Sequence, residues 1–214
     1  MGRAQVICAL LLVACGEPKP AVAPDLADYL YKLSGRDEAT RVAAVTSWTL
    51  SRAEWERVVV DSYRPLYDDY VAASTQARET FVAQLAKSRS IVSRAHFAGD
   101  PVATHAQAIT RWALPTLAPT RVAELGGRPP VPIDAVFVDV DGTWRAIVGM
   151  DAIVRRRIAA IDPACAIALD HIEPAGGPCI EAAWAVADAA LREDRARFAH
   201  GCGLATNLCG KRSP

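Results

Sequence analysis

The chain has 214 residues, enough for one to one and a half ordinary domains, with 51% hydrophobic and 22% charged side chains. That composition excludes an intrinsically disordered chain, a collagen-like repeat and a polytopic membrane protein. Its 24 basic residues balance 24 acidic ones, so no global field draws the chain to nucleic acid, and none is expected as a partner.

Arg3 precedes an apolar run from Val6 to Ala14. Such a run rises only about 14 Å as a helix, roughly half of a 30 Å hydrocarbon core, so it cannot span a bilayer and reads as a secretory signal. Leu12, Val13, Ala14 and Cys15 resemble the lipobox of bacterial lipoproteins. The resemblance implies cleavage before Cys15, a diacylglycerol on its thiol and a fatty acyl chain of the palmitate type on the new terminus. Cys8 is a poor rival because bulky Ile7 precedes it, and N-myristoylation after Met1 and Gly2 wants Ser or Thr where Val6 stands. Several acyl chains on one residue hold a membrane firmly where one does not. The expectation is a lipid-anchored protein of the cell envelope, facing the periplasm or exterior, with residues 1–14 removed and 15–24 as a tether. Three prolines, Pro18, Pro20 and Pro24, make that tether semi-rigid.

One α+β domain is expected over 25–200, with a disulfide-bearing tail at 201–214. A helix opens near Pro24 and runs through Leu33; Ser34 and Gly35 break it before a second helix from Asp37 to Trp48. Ser51 and Glu54 form a capping box, and Leu50 with Trp55 is spaced for a hydrophobic staple. Arg64 and Pro65 restart a helix whose apolar face, Leu66, Tyr70, Ala73, Ala77, Phe81 and Leu85, reaches about Lys87. Ile91 to Phe97 is a candidate strand, and His105 to Leu114 a second whose small residues also permit a helix. Pro115, Pro119, Pro129, Pro130 and Pro132 predict irregular loop. Val136–Val140 and Thr143–Val148 flank Asp141 and Gly142, a two-residue connection suited to a type I′ hairpin in a small antiparallel sheet with helices on one face.

Residues Ala135 to Thr143 also resemble the first motif of haloacid dehalogenase-like phosphatases, an apolar strand followed by Asp-x-Asp-Gly-Thr. The resemblance implies Asp139 as nucleophile, Asp141 as general acid and base, and Mg²⁺ as the charge-neutralising partner. That family sets this motif near the start of a parallel doubly wound domain and uses a downstream lysine. Here 71 residues follow Thr143, and the only lysine after Lys87 is Lys211. A plain hairpin is the preferred reading, with the phosphatase as the alternative.

Asp151 to Ile161 reads as a helix in which Arg155, Arg156 and Arg157 spread around roughly 300°, so they form a solvated face with ion pairs rather than one phosphate clamp. Asp162 and Pro163 start a short helix to about Ile172, and Pro174 to Pro178 makes a turn. Ile180, Ala183, Trp184, Ala187, Leu191 and Phe198 mark one long helix to about His200, with Trp184 in the core.

Cys165, Cys179, Cys202 and Cys209 are expected to pair as two disulfides, since an exported chain meets an oxidising compartment. A continuous helix would hold Cys179 and Cys202 about 33 Å apart, which excludes one of three connectivities. Of the two left open, Cys165 with Cys179 and Cys202 with Cys209 is preferred because both loops are short. A metal site from His200, Cys202 and Cys209 lacks paired CxxC spacing. Asp170, His171 and Glu173 are explained as well by a capped helix end as by a hydrolytic cluster. No nucleophile elbow, phosphate-cradling glycine loop or zinc-helix signature occurs. The expected role is therefore non-catalytic binding or structure, without cofactor or metal, directed at an envelope protein or a small ligand.

Overall fold

Short polar side chains start the N-terminal helices by accepting hydrogen bonds from amides that the first turn leaves unpaired. In a computed structural model that describes residues 22–96, 117, 119–128, 130–170 and 178–209, Asp25 caps α1 (Leu26–Ser34) through the Asp28 amide. Asp37 caps α2 (Glu38–Ser47) through the Thr40 amide. Ser51 and Glu54 close their reciprocal capping box on α3 (Arg52–Val58), and Leu50 and Trp55, the staple pair, are both fully buried. Pro65 falls inside a 3₁₀ turn (Asp61–Leu66) instead of the first turn of the next helix, α4 (Tyr67–Lys87).

Four antiparallel strands follow in sequential order: β1 (Ile91–His96), β2 (Thr120–Leu125), β3 (Val131–Val140) and β4 (Thr143–Ile147). β2 and the first two residues of β3 occupy the stretch expected to be loop. Pro119 directly precedes β2, and Pro132 stands second in β3, near the strand's start where proline is most readily accommodated. His105 to Leu114 lies outside the described residues.

Helices cover both faces of the sheet, not one. Ile133, Ala135 and Phe137 pack with Leu26, Leu30, Trp48 and Phe81, the Trp48 and Phe137 rings meeting edge-on at 5.2 Å. Val138, Val140 and Ile147 pack into the other cluster, with Ile153, Ile158 and Val186. Burial on both sides explains why Ala135, Val136, Phe137 and Val138 are all 0% exposed and show no alternation. At the edge of the sheet, the buried Tyr70 hydroxyl accepts from the Leu50 amide at 2.7 Å and donates to the Ala146 carbonyl at 2.9 Å. Desolvation pushes this phenol up to about 12. Arg145 of β4 donates twice to Glu54, at 2.9 and 3.1 Å. Burial pushes the Glu54 carboxyl up, but the Arg145 and Ser51 hydrogen bonds outweigh it and hold the group below its ordinary value.

The C-terminal third holds α5 (Met150–Ile161), α6 (Pro163–Asp170), α7 (Pro178–Leu191) and α8 (Arg195–Cys209), completing an α+β fold with eight α-helices among the described residues. The single helix expected from Ile180 to His200 is two. Glu193 adopts φ +57°, a left-handed conformation that ends α7, and Asp194 restarts the chain by accepting from the Arg197 amide. α8 then folds back on α7, where the space beside Gly201 is so narrow that a Cβ there would lie 3.1 Å from Val186.

This return decides the disulfide. Cys165, set on the first turn of α6 by the Asp162 cap, bonds Cys202 of α8 with their Cα atoms 6.0 Å apart. The preferred pairings of Cys165 with Cys179 and Cys202 with Cys209 are corrected accordingly: short loops mattered less than the fold-back, and the straight-helix premise that separated Cys179 from Cys202 fails as well. Ala205 is fully buried and α8 runs to Cys209, so the packed structure passes the expected boundary at His200. The side chains of Cys179, Trp184, Cys209 and Asp170 lie outside the described residues, as do residues 1–21, with Cys15, and 171–177, with His171 and Glu173.

Candidate functional site

The Asp139–Asp141 pair sits on a plain hairpin. Asp139 faces Trp144 across the antiparallel β3–β4 ladder, and Asp141 and Gly142 form the turn with φ +53° and +81°. The turn leaves an inward amide on Gly142, and Asp139 Oδ1 accepts from it at 2.8 Å. Oδ2 of the same carboxylate accepts from the Ala23 amide at 2.9 Å, while Trp144 Nε1 donates to the Pro24 carbonyl at 2.8 Å. Asp141 is exposed and ion-paired with Arg57 at 2.7 Å. The sheet is antiparallel, unlike the parallel domain of the phosphatase resemblance, and both Asp139 oxygens are engaged by backbone amides. These residues do not fit a Mg²⁺ site, and among the described residues no group of three or more His, Cys, Asp and Glu side chains is placed to hold a metal. Cys202, in its disulfide, has no thiolate to offer the His200, Cys202, Cys209 alternative.

The open chemistry lies five residues earlier on β3, at a residue the sequence reading passed over. Ala123 pairs with Ile133 but the adjacent Val122 pairs with Val136, so Asp134 and Ala135 are extra residues in a bulge. Bulges bend a strand and re-aim its side chains. Asp134 lines a cleft of about 450 Å³ between α4, the end of β4 and the start of α5. Three features of sequence make that space. Ala73 and Ala77 are too small to fill it, and Phe81 and Val148 give it an apolar wall. Gly149 also permits the close approach of α4 and α5: its φ is +70°, and a Cβ there would lie 2.4 Å from the Cβ of Ala73.

The polar lining is uneven. Of the three consecutive arginines on α5, Arg155 pairs with Asp151 at 2.9 Å and Arg157 with Asp69 at 3.5 Å, as a solvated face with ion pairs would. Arg156, between them, lines the cleft and has no ion-pair or hydrogen-bond partner among the described residues. Asp134 likewise has none. Its side chain is exposed, yet the protein around the carboxyl displaces enough water to raise it above the ordinary value. An unpaired carboxyl and an unpaired guanidinium thus share one small, partly apolar cleft, the kind of lining that orients a small molecule. The only hint of this in the sequence is a lone Asp among apolar residues in a proline-bordered strand. No protein-family model matches the chain, and neither a curated protein nor a solved structure matches it.

Proposed function

We propose that the chain is a bacterial envelope lipoprotein, anchored through Cys15, whose domain binds a partner without catalysing a reaction. One observation carries this reading: the carboxylate best suited to catalysis, Asp139, uses both oxygens to hold backbone, one at its own turn and the other at Ala23, where the tether enters the domain. A group so engaged works as a clasp. The lipobox at Leu12 to Cys15 supports the anchor, and no helix among the described residues is long and apolar enough to cross a membrane. From Cys15 to the clasp at Ala23 the chain reaches at most about 30 Å when fully extended, which keeps the hairpin end of the domain close to the lipid surface. The binding role draws on the cleft at Asp134 and Arg156, and it calls for no cofactor.

Metabolic labelling with radioactive palmitate and membrane fractionation test the anchor. The wild-type chain should carry label and pellet with membranes, and Cys15→Ser should lose label and appear in the soluble fraction. A Cys15→Ser chain that still pellets sinks the anchor. Magnesium-dependent hydrolysis of p-nitrophenyl phosphate that disappears in Asp139→Asn would overturn the non-catalytic reading.

A further inference from the structure

We infer that the cleft between α4, the β3 bulge and α5 binds a small zwitterion of the amino-acid or short-peptide class, its carboxylate on Arg156, its ammonium on Asp134 and an apolar side chain against Phe81 and Val148. The inference rests on the binding role proposed above and names its ligand; it does not depend on the lipid anchor.

Charge complementarity selects this class. The cleft offers one unpaired cation and one unpaired anion, Arg156 and Asp134, which do not pair with each other among the described residues. A simple anion would satisfy Arg156 and face the Asp134 carboxylate as a like charge. A simple cation would meet the reverse conflict. Both side chains are solvent-exposed at the rim of the cleft, and only a ligand carrying both signs satisfies both of them while meeting neither as a like charge. The third charged group on the lining, Asp69, is already engaged by Arg157 at 3.5 Å and does not upset this balance.

Size and shape agree. A cleft of about 450 Å³ is within the ordinary range for small-molecule sites and has room for an amino acid or a dipeptide. Gln76 and Thr80 stand on the same α4 wall and offer neutral hydrogen-bonding groups to a peptide unit. The apolar part of the wall favours a hydrophobic side chain over a charged one. The guanidinium suits a carboxylate because it presents paired donors in the same plane as the two oxygens.

The test uses the full-length chain carrying Cys15→Ser, so that no acyl chain competes for the apolar wall, and isothermal titration with alanyl-phenylalanine, its N-acetyl derivative and its C-terminal amide. The unblocked dipeptide should bind saturably, and each block should weaken it at least about tenfold. Asp134→Asn should weaken the unblocked peptide while leaving the N-acetyl form unchanged, and Arg156→Gln should abolish the preference for carboxylate over amide. This cross-pattern assigns each ligand charge to its residue in a way that general damage to the fold does not. Two results overturn the inference: blocked peptides binding as tightly as the free one, or no saturable binding up to about 10 mM by any member of a panel of unblocked apolar dipeptides. Either would remove the ligand class while leaving membrane attachment of the wild-type chain, measured separately, intact.

Discussion

Asp134 and Asp139 stand on one strand, and their carboxylates have opposite fates. Asp139 lies where a two-residue turn and the incoming chain each present an amide, and it satisfies both. Asp134 lies on a bulge facing a cleft lined by alanines, with no hydrogen-bond or ion-pair partner among the described residues, and its carboxyl is raised by lost water. A motif-like setting therefore marks the carboxylate that the fold consumes, whereas the residue without any motif remains available to a ligand. The same division runs through the arginines, where Arg155 and Arg157 are neutralised by neighbours and Arg156 is not.

The largest effect should come from neither carboxylate. Replacing Cys165 and Cys202 together by alanine opens a cross-link with a sequence separation of 37 and should cost about 3–4 kcal/mol in urea unfolding. Hydrogen exchange on that variant would sharpen the contrast. α5, which forms one wall of the cleft and packs on α6, should lose protection, while the hairpin held by Tyr70 and Asp139 keeps it. Equal losses in both regions would break the distinction.

A smaller but more direct comparison is Asp139→Ala against Asp134→Ala. The first leaves two amides without their charged acceptor and should cost about 2–3 kcal/mol. The second removes no partner and should change stability by less than about 0.5 kcal/mol. Comparable costs in chemical denaturation would mean that Asp134 is as structural as Asp139.

The smallest effects are in pH dependence, and their signs differ. The Asp134 carboxyl is raised in the folded state, so the native form holds its proton longer, and its contribution falls as pH rises from the ordinary value of 3.8 towards the raised one. Asp134→Asn should therefore gain on the wild type as pH climbs through that window. The Glu54 carboxyl is lowered, so its contribution is present above the ordinary value of 4.5 and is lost as pH falls through the lowered one. Arg145→Gln should reduce that contribution by about 1 kcal/mol or less at neutral pH and lose less stability on acidification. Melting temperatures followed from pH 3 to pH 7 by circular dichroism, to about half a degree, read both slopes. Slopes of the same sign for the two sites would contradict the assigned environments.

Much of the molecule was legible because the signals are local. The capping box at Ser51 and Glu54 satisfies amides within one turn, and Asp141 with Gly142 meets the positive φ of its hairpin from its own conformational preferences. The α+β class followed from such signals. Other readings failed where a local rule met a longer-range demand. Pro119 and Pro132 read as loop, yet Pro119 directly precedes β2 and Pro132 stands second in β3. The helical stripe from Ile180 to Phe198 continued in pattern through a break at Glu193, because both helices bury apolar faces against the same core.

The amino-acid sequence by itself determined the N-terminal helix starts and the hairpin turn, since each depends on groups a few residues apart. The tertiary structure alone decided that Cys165 meets Cys202, that helices cover both faces of the sheet, and that Asp139 is occupied while Asp134 and Arg156 share a cleft unpaired. The physical reason is range: a cap or turn satisfies its own backbone, but the partner of a thiol or a carboxylate is set by where distant chain returns.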